Sequence, residues 1–194
     1  MTGTDTEAPG PGWAPGPDWL PGPDGILRRD AARVVLFDAL GRVLLVRGHD
    51  ADAPDRSWWF TVGGGRAAGE DAREAAVREL FEETGVLADP SALLGPVLRR
   101  SALFDFARVT CRQDEEFYLL RLEHADDALG TDARAGWTEL EADVLDELRW
   151  WALDDLAAHA QAGAEIYPRG LVAMLREWLT GWDGVTRTVR EWDA

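Results

Sequence analysis

The segment from Gly64 to Val86 constrains the fold of this chain more than any other stretch of the sequence. It reads GGRAAGEDAREAAVRELFEETGV, in which glycines open a predicted helix that stops at Gly85. Charged side chains recur along it at set offsets; they are Glu70, Arg78, Glu79, Glu82 and Glu83. Because helix residues three and four apart share a face, the last three glutamates project to one side.

Carboxylates crowded on one helix face need a cation. Like charges at this spacing weaken an isolated helix by roughly 0.2–0.5 kcal/mol per pair. Mg²⁺ prefers carboxylate oxygens and is usually completed by substrate phosphates. The other helix face carries small or apolar residues that can pack on a sheet; these are Ala72, Ala75, Ala76, Val77, Leu80 and Phe81. The segment therefore predicts a helix with one side for the core and one for a metal and a diphosphate.

The same segment resembles the Nudix hydrolases. Their consensus is Gly, five residues, Glu, seven residues, then Arg-Glu-aliphatic-x-Glu-Glu-x-Gly-aliphatic, and every defined position is filled. An accidental match is expected on the order of once in a hundred million windows. The resemblance implies an α+β fold, an α/β/α sandwich with a central mixed sheet. It also implies a pyrophosphohydrolase, which splits a diphosphate linkage in a nucleoside diphosphate derivative with the help of Mg²⁺ or Mn²⁺.

The resemblance further assigns roles to individual residues. Arg78 is implied to pair with Glu70 and to hold the glycine loop against the helix. The implied metal ligands are the Gly63 carbonyl, Glu79, Glu82 and Glu83. A carboxylate would take the proton of the attacking water, and the open candidates are Glu79, Glu83, Glu115, Glu116 and Glu141.

Two positions beside the box depart from the usual family pattern. Val62 stands where a proline is common, and Ala67 stands where a glutamate is often found. Neither belongs to the strict box. We expect altered loop rigidity or one fewer outer carboxylate, and the reaction itself to be retained.

Candidate substrate contacts lie on either side of the box. Neighbouring residues of a strand face opposite sides, so at most one of Trp58 and Trp59 faces a ligand, and Trp59 is the candidate. Arg47, Arg56 and Arg66 flank the predicted pocket and are candidates for a terminal phosphate, with solvated surface residues as the competing interpretation. Glu115 and Glu141 are acids that could join the site from outside the box.

Composition limits the partners of this chain. The formal net charge of −16 disfavours binding of long nucleic acid, which depends on clustered cations. A small nucleotide-type diphosphate is compatible with it. The sequence has no apolar run of the ~20 residues that a bilayer span needs, and its start lacks the features of a secretory signal. We therefore expect no membrane partner and a cytoplasmic location, which the single Cys111 also fits.

The sequence predicts an extension over residues 1–25 and a single domain over residues 26–194. The extension has six prolines and six glycines and is expected to be largely mobile, although Trp13 or Trp19 could anchor it on the domain or on a second subunit. The many aromatic residues also fit a homodimer. The expected elements are a hairpin over 31–48, a loop over 49–57, strands at 58–62, 93–103, 116–122 and 148–152, a polar loop at 123–138, a turn or helix at 139–147, and helices at 70–84, from 154 onward and at 170–182.

Two other functions compete with hydrolysis. A sensor that binds nucleotides without cleaving them is the alternative, but the box has kept all its acids. An isomerase acting on an isoprenoid diphosphate would need a cysteine opposed to a glutamate, and nothing in the sequence prepares Cys111 for that role.

Overall fold

The computed structural model describes residues 16, 18–50, 53–106, 109–123 and 145–192. Three α-helices occur in these residues: α1 (Ala72–Thr84), α2 (Leu153–Gln161) and α3 (Leu171–Thr180), with a short 3-10 turn at Pro90–Ala92. The strands are β1 (Leu20–Pro21), β2 (Leu27–Phe37), β3 (Val43–Asp50), β4 (Ala53–Gly65), β5 (Leu94–Phe106), β6 (Val109–Arg121), β7 (Leu145–Trp151), β8 (Glu165–Ile166) and β9 (Arg187–Trp192).

These strands form one mixed sheet. Its order is β7, β3, β4, β2, β6, β5 and β9, with β1 paired to β2 and β8 paired to β4. The β2–β6, β4–β8 and β5–β9 pairs are parallel, and the remaining pairs are antiparallel.

Helices cover both faces of the sheet. Helix α1 packs its alanines and Leu80 on one face, against side chains such as Val34 and Val62. Helices α2 and α3 pack Leu156, Leu175 and further apolar residues on the other face. The predicted α/β/α sandwich with a mixed sheet is therefore confirmed. Among the described residues, no helix combines the length and the apolar composition that crossing a membrane requires.

Local signals set both ends of α1. The side chain of Asp71 accepts a hydrogen bond from the Arg73 backbone N–H at 2.8 Å and so caps the first turn. Gly85 ends the helix in the left-handed conformation, at φ 75°, and donates its N–H to the Phe81 carbonyl. The helix predicted over 70–84 is thus present and begins two residues later.

The glycines before α1 belong to a strand and do not form the predicted loop. Gly63, Gly64 and Gly65 pair with Arg33, Ala32 and Ala31 of β2. The predicted loop over 49–57 is also wrong in part, because β4 already begins at Ala53. Strand β3 supplies the partner residues for this extension, which an isolated polar sequence does not reveal.

The strands β5 and β6 are longer than predicted. They pair antiparallel from Leu94 opposite Leu119 to Phe106 opposite Val109. Much of the segment predicted to join them is therefore strand. Strand β7 begins at Leu145, whereas the turn or helix predicted over 139–147 extends to Glu147. The rest of that prediction and most of the loop predicted at 123–138 lie outside the described residues.

The last part of the predicted extension packs on the domain. Strand β1 pairs with β2. The Arg29 guanidinium lies 4.5 Å from the centre of the Trp19 ring, and Phe104 meets that ring edge-on at 6.4 Å. Residues 1–15, with Trp13, lie outside the described part of the chain.

Candidate active site

Arg78 ties the start of the box to the helix. Its Nε and Nη2 atoms donate to the two Glu70 carboxylate oxygens at 2.8 and 2.9 Å, and Nη2 also reaches the Gly65 carbonyl. The pairing implied by the resemblance is present. The hydrogen bond from Arg78 is the main cause that lowers the pKa of Glu70, and the same bond raises the pKa of Arg78. Both groups therefore stay charged at neutral pH.

The helix glutamates differ in burial. Glu79 and Glu83 are buried, while the Glu82 side chain is 44% exposed. The third Arg78 nitrogen, Nη1, donates to Glu79 at 2.7 Å and to Glu82 at 3.0 Å. One guanidinium thus offsets the mutual repulsion of carboxylates that lie on the same flank.

Glycine is required where the strand meets these carboxylates. A Cβ at position 64 would lie 2.4 Å from Glu79 Oε2, and one at position 63 would lie 2.2 Å from the Ala32 carbonyl oxygen. Gly63 also has φ 126°, which side chains rarely allow. Its N–H donates to Glu83 Oε2 at 2.8 Å. The strand backbone therefore touches the two buried glutamates directly.

These groups fit a hard divalent cation by their chemistry. Glu79 and Glu83 meet at the Gly63–Gly64 backbone, and Glu82 lies on the same flank, so the donors are oxygens of the kind that Mg²⁺ and Mn²⁺ prefer. Among the described residues, no three acidic, histidine or cysteine side chains already converge as a metal cluster. Arg78 contacts two of the three acids, which would have to turn from it toward a cation.

A cleft of about 250 Å³ opens beside the glycines. Of the three helix glutamates, Glu83 is the one that lines it. Its aromatic walls come from Trp19, Trp58, Phe60, Phe104, Phe117 and Tyr167. Aromatic faces and a few polar groups around a concave space are typical of small-molecule sites.

Buried ion pairs form the polar wall of the cleft. Glu115 accepts from Arg33 Nε at 2.9 Å and from Arg100 Nη1 at 2.6 Å. Arg100 also donates to Glu191 on β9, at 2.6 and 2.9 Å. Gln113 adds an amide donor to Glu115. Each carboxylate is therefore matched by guanidinium groups, as buried charges require.

Ion pairing also fixes the charge states of this wall. Burial alone would raise the pKa of Glu115, but the charges of Arg33 and Arg100 outweigh it, so the pKa is lowered. Burial would lower the pKa of Arg100, and the charge of Glu115 and the bonds to both acids raise it instead. Glu115 is thus a fixed anion and a poor proton acceptor near neutral pH.

The structure corrects the choice between the two neighbouring tryptophans. Trp59 is buried in the core, where it meets Trp151 edge-on at 5.1 Å, and it does not line the cleft. Trp58 lines the cleft instead. Alternation on the strand allowed one of them to face a ligand, but periodicity alone did not say which.

Of the three arginines predicted for a terminal phosphate, Arg47 and Arg66 lie outside the cleft. Arg47 pairs with Asp146 and Glu147 of β7, and Arg66 donates to the Glu70 backbone carbonyl at 2.8 Å. Neither lines the cleft, whereas Arg56 does. Glu141 lies outside the described residues.

Two further candidates, Glu116 and Cys111, do not line the cleft. Glu116 accepts hydrogen bonds from Arg99 and Tyr118 and is not among the lining residues. Cys111 is buried beside Trp19, Leu27 and Phe104, and burial raises the pKa of its thiol to about 11. A protonated thiol in the core does not suit the nucleophilic or acid–base role of an isomerase.

Comparison with known proteins agrees with this geometry. The family model of the NUDIX domain matches residues 27–170, which is most of the chain. This chain belongs to the NUDIX family. Its sequence is 44% identical over 66 residues to an RNA pyrophosphohydrolase of Dinoroseobacter shibae, a stretch that covers 34% of this chain and 39% of that protein. The chain thus matches about two fifths of the length of this curated relative.

Solved structures share the NUDIX fold. An ADP-ribose pyrophosphatase from Streptococcus suis superposes with a TM-score of 0.51 at 17% identity, over 82% of this chain and 98% of that one. An Ap4A hydrolase from C. elegans has a TM-score of 0.49 at 18% identity, over 81% and 99% of the two chains. The likeness to the Streptococcus suis structure concerns the fold alone.

Sequence reasoning missed several residues of the cleft. Arg33 and Arg100 were not singled out, although each is a charged residue within or next to an apolar run, and Glu191 lies in a largely polar stretch. An isolated charge on a buried strand face is a usable signal, because such a charge needs a partner. Trp19 and Glu191 also lie outside the matched NUDIX region of residues 27–170.

Proposed function

We propose that this chain is a divalent-metal-dependent pyrophosphohydrolase that splits a diphosphate linkage in a small nucleoside diphosphate derivative. The observation that carries the proposal is the contact between the glycine strand and helix α1. There Glu83 receives the Gly63 N–H, Glu79 fills the space over Gly64, and Glu82 lies on the same flank. Membership of the NUDIX family and the likeness to a named RNA pyrophosphohydrolase support the reaction class.

Glu79, Glu82 and Glu83, with the Gly63 carbonyl, would hold the cation. When bound, Mg²⁺ or Mn²⁺ would offset phosphate charge and lower the pKa of a coordinated water. Arg78 contributes by keeping Glu70, Gly65 and the helix acids together. Its many bonds make it part of the scaffold, in line with the role implied by the resemblance.

Glu83 is our candidate for accepting the proton of the attacking water. It is the helix glutamate that lines the cleft, and proton transfer requires a base within hydrogen-bond reach of the water. Glu115 lines the same cleft, but two arginines hold it as an anion with a lowered pKa. A carboxylate in that setting gives up its ion pairs if it takes a proton.

The walls of the cleft support a small substrate. Trp58 and Phe60 offer ring faces on which a nucleobase can stack. Arg56, at the same cleft, could approach a phosphate. The volume of about 250 Å³ lies just below the range of small-molecule pockets, which is about 300–1,000 Å³. With a net charge of −16, this arrangement favours a nucleotide derivative over a long RNA.

A substrate screen tests the proposal. Purified chain with Mg²⁺ or Mn²⁺ is incubated with ADP-ribose, dinucleoside polyphosphates, nucleotide sugars, oxidised nucleoside triphosphates and a 5′-triphosphorylated oligoribonucleotide. Phosphate is measured after a coupled phosphatase. We expect metal-dependent turnover of a small compound, and preferred turnover of the oligoribonucleotide would refute the proposed substrate class.

The helix variant Glu83→Gln identifies the site. We expect kcat to fall on the order of 100-fold, because a metal-binding charge and the candidate base are lost together. Glu74→Gln is the matched control, since Glu74 is an exposed glutamate in the first turn of the same helix. Equal activity of the two variants would place the reaction elsewhere.

A further inference from the structure

Side chains bind both backbone polar groups of Gly63, which belong to two consecutive peptide groups. Its N–H donates to Glu83 Oε2 at 2.8 Å, and its carbonyl accepts a hydrogen bond from Arg33 Nη1. The same Arg33 nitrogen also reaches the Thr61 carbonyl at 3.3 Å. Arg33 thus binds two backbone carbonyls near the end of β4, beside the helix glutamates.

Arg33 is itself fixed by a chain of buried charges. Its Nε donates to Glu115 at 2.9 Å, and the other Glu115 oxygen accepts from Arg100 at 2.6 Å. Arg100 continues to Glu191 on β9. Side-chain exposure along this chain is 10% for Arg33, 2% for Glu115, 11% for Arg100 and 8% for Glu191.

Burial makes this network of ion pairs rigid. Charged groups in a low-dielectric interior lose much of their favourable electrostatic energy when a partner moves away, because no water replaces the partner. An arginine that forks onto fixed acceptors also retains little rotational freedom. The network of ion pairs can therefore hold Arg33, and through it the strand backbone from Thr61 to Gly63, in a single orientation.

We propose that Arg33 is a positioning residue, which binds the carbonyls on either side of the Val62–Gly63 peptide and so orients the strand backbone there, with the Gly63 N–H holding the Glu83 carboxylate toward the cleft. The inference rests on the proposed function, because Glu83 matters only if the helix acids form the reactive site. It adds that a strand arginine, braced from the C-terminal strand through Glu191, sets the geometry of those acids.

The test uses binding of Mn²⁺ alone, measured by calorimetry and by electron paramagnetic resonance on the full chain. Arg33→Lys keeps the charge but removes the fork, so the electrostatic repulsion of the cation is unchanged. Replacing partners that orient metal ligands typically weakens binding 10–100-fold, and we expect a loss of about tenfold here. Arg99→Lys is the matched control, because Arg99 of β5 pairs with Glu116, the neighbour of Glu115 on β6, and neither Arg99 nor Glu116 lines the cleft.

A double-mutant cycle shows whether Arg33 acts through Glu83. In the Glu83→Gln background, Arg33→Lys should change Mn²⁺ affinity by less than about twofold, since the group that it positions has gone. The Gly63 amide proton, followed in glycine-labelled protein, should shift in Arg33→Lys and stay in place in Arg99→Lys. A shift caused by general loosening of the fold would appear at many glycines.

The outcomes distinguish failure of the positioning role from failure of the proposed function. Wild-type Mn²⁺ affinity in folded Arg33→Lys, tighter binding, or full additivity with Glu83→Gln would overturn the positioning role while leaving the proposed function intact. If Glu83→Gln itself leaves Mn²⁺ binding unchanged, the proposed function fails first. If Arg33→Lys does not fold, the variant Glu191→Gln, at the other end of the ion-pair network, replaces it. We then expect Mn²⁺ binding to weaken about threefold, and unchanged Mn²⁺ binding would overturn the positioning role.

Discussion

Glu83 and Glu115 are both buried carboxylates, and their surroundings give them different uses. Glu83 receives the Gly63 N–H and lies at the base of the helix flank, where a cation or a water can approach. Glu115 is enclosed by two guanidinium groups and an amide donor. Charge pairing therefore makes Glu115 a structural anion, although from sequence alone it was as good a candidate base as any other acid outside the box.

The lowered pKa of Glu115 predicts a pH-dependent stability. A carboxylate with a lower pKa in the folded state binds fewer protons there than in the unfolded chain, so its contribution is present above the ordinary value of 4.5 and is lost as pH falls through the folded pKa. We expect Glu115→Gln to lower the free energy of unfolding by about 3 kcal/mol at pH 7, because two buried arginines lose their anion.

The difference between wild type and Glu115→Gln should narrow as the pH falls below 4.5. Urea unfolding at pH 7, 5, 4 and 3 measures it. Glu116→Gln is the comparison, since Glu116 is a more exposed acid beside Glu115 in the same strand. A constant difference at all four pH values would contradict the assignment of an ionised Glu115.

Helices α1 and α2 begin in different ways. The Asp71 side chain caps α1, whereas α2 begins after Ala152, which has no side-chain oxygen to offer. Unsatisfied N–H groups at a helix start are stabilised by such an oxygen. The difference concerns only the first turn, so substitutions there should leave the sheet unchanged.

Removing the cap of α1 and adding a cap to α2 should change the free energy of unfolding in opposite directions. Asp71→Ala should lower the free energy of unfolding by about 1 kcal/mol, and Ala152→Ser should raise it by about 0.5–1 kcal/mol. Chemical denaturation with an unchanged m-value would measure both. Equal effects of the same sign would show that capping does not control these helix ends.

The elements that sequence predicted well are those defined by neighbours in the chain. Helix α1 was predicted to within two residues because its apolar face and the Gly85 stop are both readable from one short stretch of sequence. Strand β9 was missed, since RTVREW is largely polar and acquires its partner from β5, about ninety residues earlier. The glycines of β4 were expected to form a loop because their strand partners lie on β2, about thirty residues earlier, and are not visible in the local sequence.

The same distinction holds for the site. The link between Arg78 and Glu70 spans eight residues and was implied by the box. The pair of Arg33 with Glu115 spans 82 residues and that of Arg100 with Glu191 spans 91. Pairs so distant in sequence depend on sheet order, which no local pattern encodes.

Both ends of the described chain contribute to one cleft. Trp19 enters from the strand β1 side and Glu191 from β9, and both lie outside residues 27–170. Arg29 lies over the Trp19 ring at 4.5 Å and donates to Gln113 at 2.8 Å, so the N-terminal segment is connected to the polar wall. Cleft shape therefore depends on parts of the chain that the family match does not include.

We expect Trp19→Ala to lower the free energy of unfolding by about 2 kcal/mol, through lost apolar contact and the lost cation–π interaction. Trp19→Phe should lose less, because an aromatic ring remains over Arg29. Urea denaturation of the two variants measures the difference. Unchanged stability in both would mean that the segment before β2 does not contribute to the domain.

The burial of Cys111 makes this protein convenient for spectroscopic labelling. Cys111 is the single cysteine of the 194 residues, and its thiol is enclosed and protonated at neutral pH. The thiolate of an accessible cysteine is the nucleophile that attacks maleimide and thiol-reactive nitroxide reagents. A cysteine introduced at an exposed position such as Glu74 would therefore take the probe selectively, without removal of the native thiol, and would report on the helix beside the cleft.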